Sequence, residues 1–384
     1  MEDQNQNIKI SNMKSNEELE LKNENGEIIY SQSNNNETNK ESNETSEPKN
    51  KNLKLIIIIS IIIIIIIIFI FILIFIILKK EDKIPIIIDV DEGGDDMVAY
   101  TVANNSKKYE ILGITTVSPA YYVDDVTNIW LRFLKYMNFD TKVYKGENHP
   151  LIRQSTPTAF SHNYGIEFPL TTKTAESKNA VDFMIEAIKN NKKKVTLFLL
   201  GPLTNFAKAY QKDNTIINNI KDIIIMGGTK EDGNVQYNSK AEYNIYMDAD
   251  AANIVFNCGI KIKIMGTDVT HKVEFTDEIY ERYKKMNTKS SMLTYYVMKG
   301  TFATWGDNYL HDPATVLYYL NNKIITLKDY YCVVNVTNPD VYGTNYGTMI
   351  FNEPNNEKKA NIEYSESIDL GLYWETLDKY VKKY

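Results

Sequence analysis

Residues able to do chemistry concentrate in one short stretch, Asp89-Val90-Asp91-Glu92-Gly93-Gly94-Asp95-Asp96, which holds four aspartates and a glutamate. It follows directly on the apolar run Ile84-Pro85-Ile86-Ile87-Ile88. An apolar run of that length, closed by glycines, reads as a buried strand ending in a tight turn. In an open α/β sheet, ligands sit just beyond the carboxyl ends of the strands. So many negative charges repel one another unless something positive lies among them. A hard divalent cation, Ca²⁺ or Mg²⁺, takes carboxylates of this kind. The competing reading is a solvated acidic loop whose last aspartates cap a helix from 96 to about 104.

Other polar groups punctuate the chain at similar places. His311-Asp312-Pro313-Ala314 precedes a helix-like segment over 314–320. A proline just inside a helix start, with Asp before it, is a capping arrangement in its own right, so Asp312 alone reads as a cap and His311 as a loop residue. Ala241-Glu242-Tyr243-Asn244 runs into Asp248-Ala249-Asp250-Ala251-Ala252, a polar loop ahead of a helix that Asp248 can cap. Leu200-Gly201-Pro202-Leu203-Thr204-Asn205 is a strand-to-helix turn, and Gly227-Gly228 closes the apolar Ile223-Ile224-Ile225-Met226. None of the glycine-rich turns matches a Walker loop or a dinucleotide fingerprint.

The elements that must position these groups alternate along the chain. Apolar runs predict strands over 84–90, 110–117, 195–200, 222–226, 261–266 and 331–336. Amphipathic spacing predicts helices over 123–137, 175–190, 203–210, 249–256 and 291–302. Strand–helix alternation implies an α/β fold: an open, mostly parallel, doubly wound (Rossmann-like) sheet with helices on both faces. No internal repeat is visible.

Two further segments precede this unit. Residues 1–54 are rich in Asn, Glu, Ser and Lys and predict a disordered tail. Residues 55–78 are almost all Ile, Leu and Phe, with Ser60 the polar exception. As a helix they span roughly 36 Å, enough to cross a bilayer with some tilt. The run begins too far from the start, and is too long, for an ordinary cleaved signal peptide, so it reads as a single transmembrane anchor. Residues 79–384 then form the α/β domain. Lysines flank both ends of the anchor (Lys49, Lys51, Lys54; Lys79, Lys80, Lys83), so the positive-inside rule sets no orientation. An extracellular or lumenal globular domain is the commoner arrangement. Sequons at Asn36, Asn43, Asn104 and Asn335 lie on both sides of it. The net charge of -7 argues against a nucleic-acid partner. Two cysteines, Cys258 and Cys332, form no disulfide framework and read as buried thiols.

Taken in order, these motifs resemble the inosine–uridine-type nucleoside hydrolase family. The family's D-T-D-P-G-I-D-D reads here Asp89 to Asp96, and its G-I-T-T-V-A-G-N reads Gly113 to Ala120. A histidine–glycine segment follows at Ser161-His162-Asn163-Tyr164-Gly165-Ile166. Then come G-P-L-T-N at Gly201 to Asn205, the glycine pair 227–228, A-E-x-N at Ala241 to Asn244 before the D-x-x-A-A helix, G-x-D-x-T-H at Gly266 to His271, and H-D-P-x-A from His311. The resemblance runs from about Pro85 to the C-terminus.

The resemblance implies a Ca²⁺-dependent enzyme that hydrolyses the N-glycosidic bond of ribonucleosides to free base and ribose. It places Ca²⁺ on Asp91, Asp96, Asp312 and the main-chain carbonyl of Leu200, an all-oxygen shell suited to a hard cation. It gives Asp95, Glu242 and Asn244 to the ribose, His311 to the departing base as its acid, and His162 to the wall of the same pocket. Asp91 becomes the general base toward a metal-bound water. Tyr295, Tyr296 and Trp305 are candidates for stacking on the base, against a packing role for each. The family also implies a homo-oligomer, dimer or tetramer.

The sequence departs from the family in three places. Ala120 stands where the family has an Asn directed at the reacting ribose, Glu92 and Gly94 replace Pro and Ile in the acidic turn, and Val90 replaces Thr. These departures keep open a catalytically impaired Ca²⁺- and ribonucleoside-binding membrane protein. A haloacid-dehalogenase-like phosphatase is a further alternative, with Asp89 as nucleophile and Mg²⁺ as metal, because an apolar strand followed by D-x-D also opens that fold.

Overall fold

The computed structural model describes residues 49–78, 83–160, 164–235, 240–339 and 345–383. His162, the sequons Asn36 and Asn43, and nearly all of the 1–54 tail lie outside the described residues.

Helix α1, Lys49–Leu78, stands as a unit of its own. Its segment Leu53–Ile74 is long and apolar enough to cross a membrane, judged by length and composition.

The second unit is built on strands β1 Ile84–Val90, β2 Tyr109–Thr116, β3 Val143–Lys145, β4 Val195–Leu199, β5 Ile220–Met226, β6 Ile262–Met265, β7 Ile325–Val334, β8 Met349–Asn352 and β9 Ile362–Ile368. They form a 9-stranded sheet in the order β3-β2-β1-β4-β5-β6-β9-β7-β8. The first seven strands in that order run parallel, while β7 and β8 are antiparallel at the far edge. From β1 the chain steps outward to β2 and β3, then crosses back to β4 on the other side of β1. That reversal opens a crevice beyond the carboxyl ends of β1 and β4, where sheets of this kind bind ligands.

Successive side chains of a strand point to opposite faces, and β1 shows the consequence. Ile86, Ile88 and Val90 enter one apolar core, and Ile87 enters the other. Against the first core pack helices α2 Gly94–Ser106, α3 Val123–Met137, α9 Asp277–Met286, α10 Lys289–Trp305, α11 Pro313–Leu320 and α12 Leu370–Val381. Against the second pack α4 Ala180–Asn190, α5 Thr204–Lys212, α6 Tyr243–Met247 and α7 Ala249–Phe256. The short α8, Thr267–Thr270, follows β6. Cys258 and Cys332 are buried thiols, as expected.

Three expectations need correction. The helix predicted over 175–190 begins at Ala180, because the Asn179 side chain accepts the Asp182 N–H and sets the N-cap there. The strand predicted over 331–336 begins earlier, at Ile325, and is antiparallel; its Lys328 and Asp329 face solvent and break the apolar run. β3, β8, β9, α6, α8, α9 and α12 had no predicted counterpart.

Candidate active site

The turn after β1 folds its carboxylates inward rather than into water. Asp91 and Asp96 are buried, and Asp95 nearly so. The Asp91 N–H donates to Asp96 Oδ1 at 3.2 Å, and the Gly93 N–H donates to Asp91 Oδ1 at 2.8 Å. Trp130 Nε1 of α3 holds the Asp91 carbonyl at 2.9 Å, and the Tyr164 hydroxyl holds that of Glu92 at 2.6 Å. α2 starts at Gly94 without any side-chain cap, so the acidic residues do not serve as its N-cap.

Asp312 arrives from the start of α11. It already has helical φ and ψ and makes no capping bond, so the cap suggested by Asp-Pro does not form and its carboxylate stays available. Asp95, Asp96 and Asp312 each bring a carboxylate oxygen within 4.8 Å of the others. Asp91 joins them over Gly93: a Cβ there would lie 2.4 Å from Asp96 Oδ2, 2.9 Å from Asp95 Oδ1 and 3.3 Å from Asp91 Oδ1. Glycine thus leaves open a cradle on which carboxylate oxygens converge. The donors are all oxygen and all acidic, which suits a hard divalent cation.

The electrostatics agree. Burial, and then the neighbouring carboxylates, push Asp91, Asp96 and Asp312 well above the usual carboxylate range. Burial also raises Asp95, although His311 and the Asp312 N–H oppose it. Carboxyls crowded in this way hold protons unless a cation replaces them.

The leaving-group side is built by residues far apart in the chain. His311 is buried, with Nδ1 2.7 Å from Thr270 Oγ1 and Nε2 3.5 Å from Asp307 Oδ2. Burial favours neutral imidazole, but Asp307, Asp95 and Glu242 outweigh it and raise the pKa. His271 packs edge-on at 5.3 Å from the His311 ring, and Tyr309 lies 4.8 Å from the His271 ring. His311 is therefore no exposed loop residue.

Glu242 caps α6: its Oε1 accepts the Asn244 N–H at 2.9 Å, and its Oε2 accepts Gly228 N–H at 2.8 Å and Ile245 N–H at 3.1 Å. Asn244 Nδ2 donates to the Leu200 carbonyl at 2.7 Å, which fixes that carbonyl at the end of β4. Gly201, the next residue, lies against Asp91, since a Cβ there would come within 2.9 Å of Asp91 Cβ. Asp248 caps α7, as predicted, and also receives Thr204 Oγ1 at 2.7 Å. Of the stacking candidates, Tyr295 packs edge-on against Tyr280 and Tyr296, while Trp305 is 49% exposed at the end of α10.

Asp307 was not singled out from the sequence, and Thr270 and His271 were quoted only within their motif. Asp307 and Thr270 contact His311, and His271, inside the quoted G-x-D-x-T-H, packs on it. Asp89 is wholly buried, with Oδ1 receiving Thr115 Oγ1 at 2.5 Å and Asn205 Nδ2 at 2.7 Å. Wholly buried and tied through Oδ1, this carboxylate serves as a strut between β1, β2 and α5.

A family model described as inosine-uridine preferring nucleoside hydrolase matches residues 86–375. The chain belongs to this family. A relative, the pyrimidine-specific ribonucleoside hydrolase RihB of Escherichia coli (strain SE11), is 29% identical over 79% of this chain and 98% of its own. Among solved structures, a purine-preferring ribonucleoside hydrolase from Gardnerella vaginalis superposes with a TM-score of 0.69 at 26% identity, covering 78% of this chain and 98% of that one. The plant nucleoside hydrolase PpNRh1 gives 0.68 at 25% identity, covering 78% and 99%. As a nucleoside hydrolase, this protein is a ribonucleoside N-glycosidase. The family is metal-dependent, and Asp95, Asp96 and Asp312 form a group able to hold a metal.

Proposed function

We propose that the protein hydrolyses the N-glycosidic bond of ribonucleosides with Ca²⁺ as its resident cation. The observation that carries this reading is the convergence of Asp91, Asp95 and Asp96 oxygens over Gly93, beside Asp312. Asp91, Asp96, Asp312 and the Leu200 carbonyl would hold the ion. Bound there, a hard cation supplies Lewis acidity toward water and sugar hydroxyls.

The chain's own residues do the rest. Asp91 takes a proton from the attacking water as general base. Asp95, Glu242 and Asn244 orient the ribose hydroxyls; His162, outside the described residues, is assigned to the same pocket from the family resemblance alone. His311 holds a proton for the departing base; Asp307, Asp95 and Glu242 raise its pKa against burial and so favour the protonated ring. The acidic wall favours the positive charge that develops on the sugar. RihB and the Gardnerella enzyme are named for opposite base preferences, so the reading rests on the sugar side and leaves the base open.

We also assign the apolar helix to a membrane anchor over 55–78, with a polar tail over 1–54 and the hydrolase domain over 79–384. Its length and continuous apolar surface support this assignment. We infer a dimer or tetramer from the family resemblance.

The test is incubation of the detergent-solubilised full chain with a ribonucleoside panel, with and without a Ca²⁺ chelator, following free base and ribose. Chelator-sensitive release of both is expected. Ca²⁺-dependent nucleoside binding without release would favour the impaired binding protein instead.

A further inference from the structure

Glu92 is a carboxylate for which the cation cradle has no use. Asp91, beside it, turns toward Gly93 and Asp96. The Glu92 side chain instead lies between the end of β2 and the start of α6. Ser118 Oγ donates to its Oε2 at 2.9 Å, and the Tyr243 hydroxyl reaches its Oε1 at 3.5 Å. Tyr243 sits between Glu242 and Asn244, the two α6 residues assigned to the sugar. Glu92 thus spans the gap between the acidic turn and the sugar-holding helix, 5% exposed. No lysine or arginine pairs with it among the described residues, and at 3.5 Å its Oε1 keeps acceptor capacity in hand. Burying a carboxylate with two hydroxyl donors and no cation is costly unless it takes up a proton or a positive charge arrives from elsewhere.

Resting on the hydrolase reading above, we infer that Glu92 faces the ribosyl ring and stabilises the positive charge formed as the glycosidic bond breaks. When the C–N electron pair leaves with the base, the anomeric carbon and the ring oxygen share that charge. Ala120 in the neighbouring loop has no polar group to offer, so Glu92 is the acidic wall on that side. Its negative charge is complementary to the transition state more than to the neutral substrate, which is the condition for raising kcat.

The alternative is that Glu92 is only a strut between β1, β2 and α6. Glu92→Gln separates the two, because an amide oxygen still accepts from Ser118 while the charge is gone. With the Ca²⁺-loaded full chain, E92Q should lower kcat by about 10- to 100-fold and leave KM within about threefold. A protonated pyrrolidine mimic of ribose should lose affinity by a similar factor, while neutral ribonolactone should bind unchanged. A kcat within about threefold of wild type, with unchanged binding of the cationic mimic, overturns the inference. So does a Ca²⁺ requirement that shifts by the same factor as kcat, since the effect would then run through the ion. If E92Q does not fold, Glu92→Asp keeps the charge but withdraws it, and should weaken the cationic mimic more than ribonolactone; equal loss on both refutes the idea. The binding arm needs no turnover, so it decides on Glu92 even if wild type releases no base, a result that would sink the hydrolase reading separately.

Discussion

Asp95 and Asp312 are tied by a bond between opposite ends of the domain's sequence: Asp95 Oδ2 accepts the Asp312 N–H at 3.2 Å. The same oxygen accepts the His311 N–H at 3.1 Å. One carboxylate on the turn after β1 therefore fixes the entry to α11, and with it both a cradle residue and the residue assigned to the leaving group.

Asp95→Ala should accordingly damage two functions together. The cation requirement should rise about 10- to 100-fold, as on loss of a group that orients metal ligands. Turnover at saturating cation should also fall, by about 100-fold or more, because the sugar contact and the His311 anchor go together. Calcium titration of activity reads both effects. An unchanged half-saturating concentration would mean that Asp95 does not position Asp312.

His311 and Asp307 form a pair whose sign can be read from pH. Asp307 is held below the usual carboxylate value because the His311 contact outweighs its own burial. The groups facing His311 are Asp307, Asp95, Glu242 and His271. A bound cation would neutralise the Asp95 side, which leaves Asp307, with a smaller share from Glu242, to keep the imidazole charged. His311 is raised above 6.5, so its paired stability is complete below that value and is lost as pH rises through the folded pKa. Asp307 is lowered below 3.8, so its share is lost only as pH falls through that depressed value. If His311 is the acid, kcat should decline on the alkaline side, and Asp307→Asn should move that decline to lower pH. A profile that does not move with Asp307→Asn would exclude the pairing from catalysis.

Much of this arrangement was legible, and what was not has a physical cause. β1, α3 and α7 were bounded correctly because an unbroken apolar run or a regular apolar stripe marks each. The acidic turn, Glu242-Tyr243-Asn244 and His311-Asp312 were each ambiguous alone, since Asp before Pro is equally a helix cap. Only their order along the chain carried weight. Asp307 was invisible because its His311 contact arises within an irregular loop, with no local pattern to betray it, and Thr270 stood only as one letter of G-x-D-x-T-H. The D-x-D after β1 also opens a phosphatase fold, but that reading leaves Ala241–Asn244 and His311–Ala314 without a role, and in the structure Thr115 and Asn205 hold Asp89 Oδ1. β9, last in sequence, inserts between β6 and β7, a position that no periodicity encodes.

Cation binding should expel protons. Asp91, Asp95, Asp96 and Asp312 all have raised pKa values without it, so they arrive partly protonated and leave deprotonated. Without cation, raised carboxyls favour the folded state at lower pH and lose that advantage as pH rises through their folded values. The rise in Tm on adding Ca²⁺ should therefore grow as pH is raised. Calorimetry in buffers of different ionisation enthalpy measures the released protons directly; no release would argue that the ion binds elsewhere.

Gly93→Ala isolates the cradle from the fold. Gly93 has φ -65 and ψ 143, an extended conformation that alanine adopts without strain. On the backbone alone the substitution should stabilise the cation-free protein slightly, by about 0.4–1 kcal/mol, through the unfolded chain. The new Cβ, however, would lie 2.4 Å from Asp96 Oδ2 and 2.9 Å from Asp95 Oδ1. Those carboxylates must separate, and the convergence that suits a cation is lost. The expected result is a chelator-treated protein with an unfolding temperature at or near that of wild type, but with no rise on adding Ca²⁺ and with turnover reduced by about 100-fold or more. A variant that still gains Tm from Ca²⁺ like wild type would show that the ion does not sit over Gly93. A variant that unfolds early even without the ion would show instead that the turn after β1 tolerates no side chain on structural grounds. The two results separate on one pair of melting curves, with and without Ca²⁺.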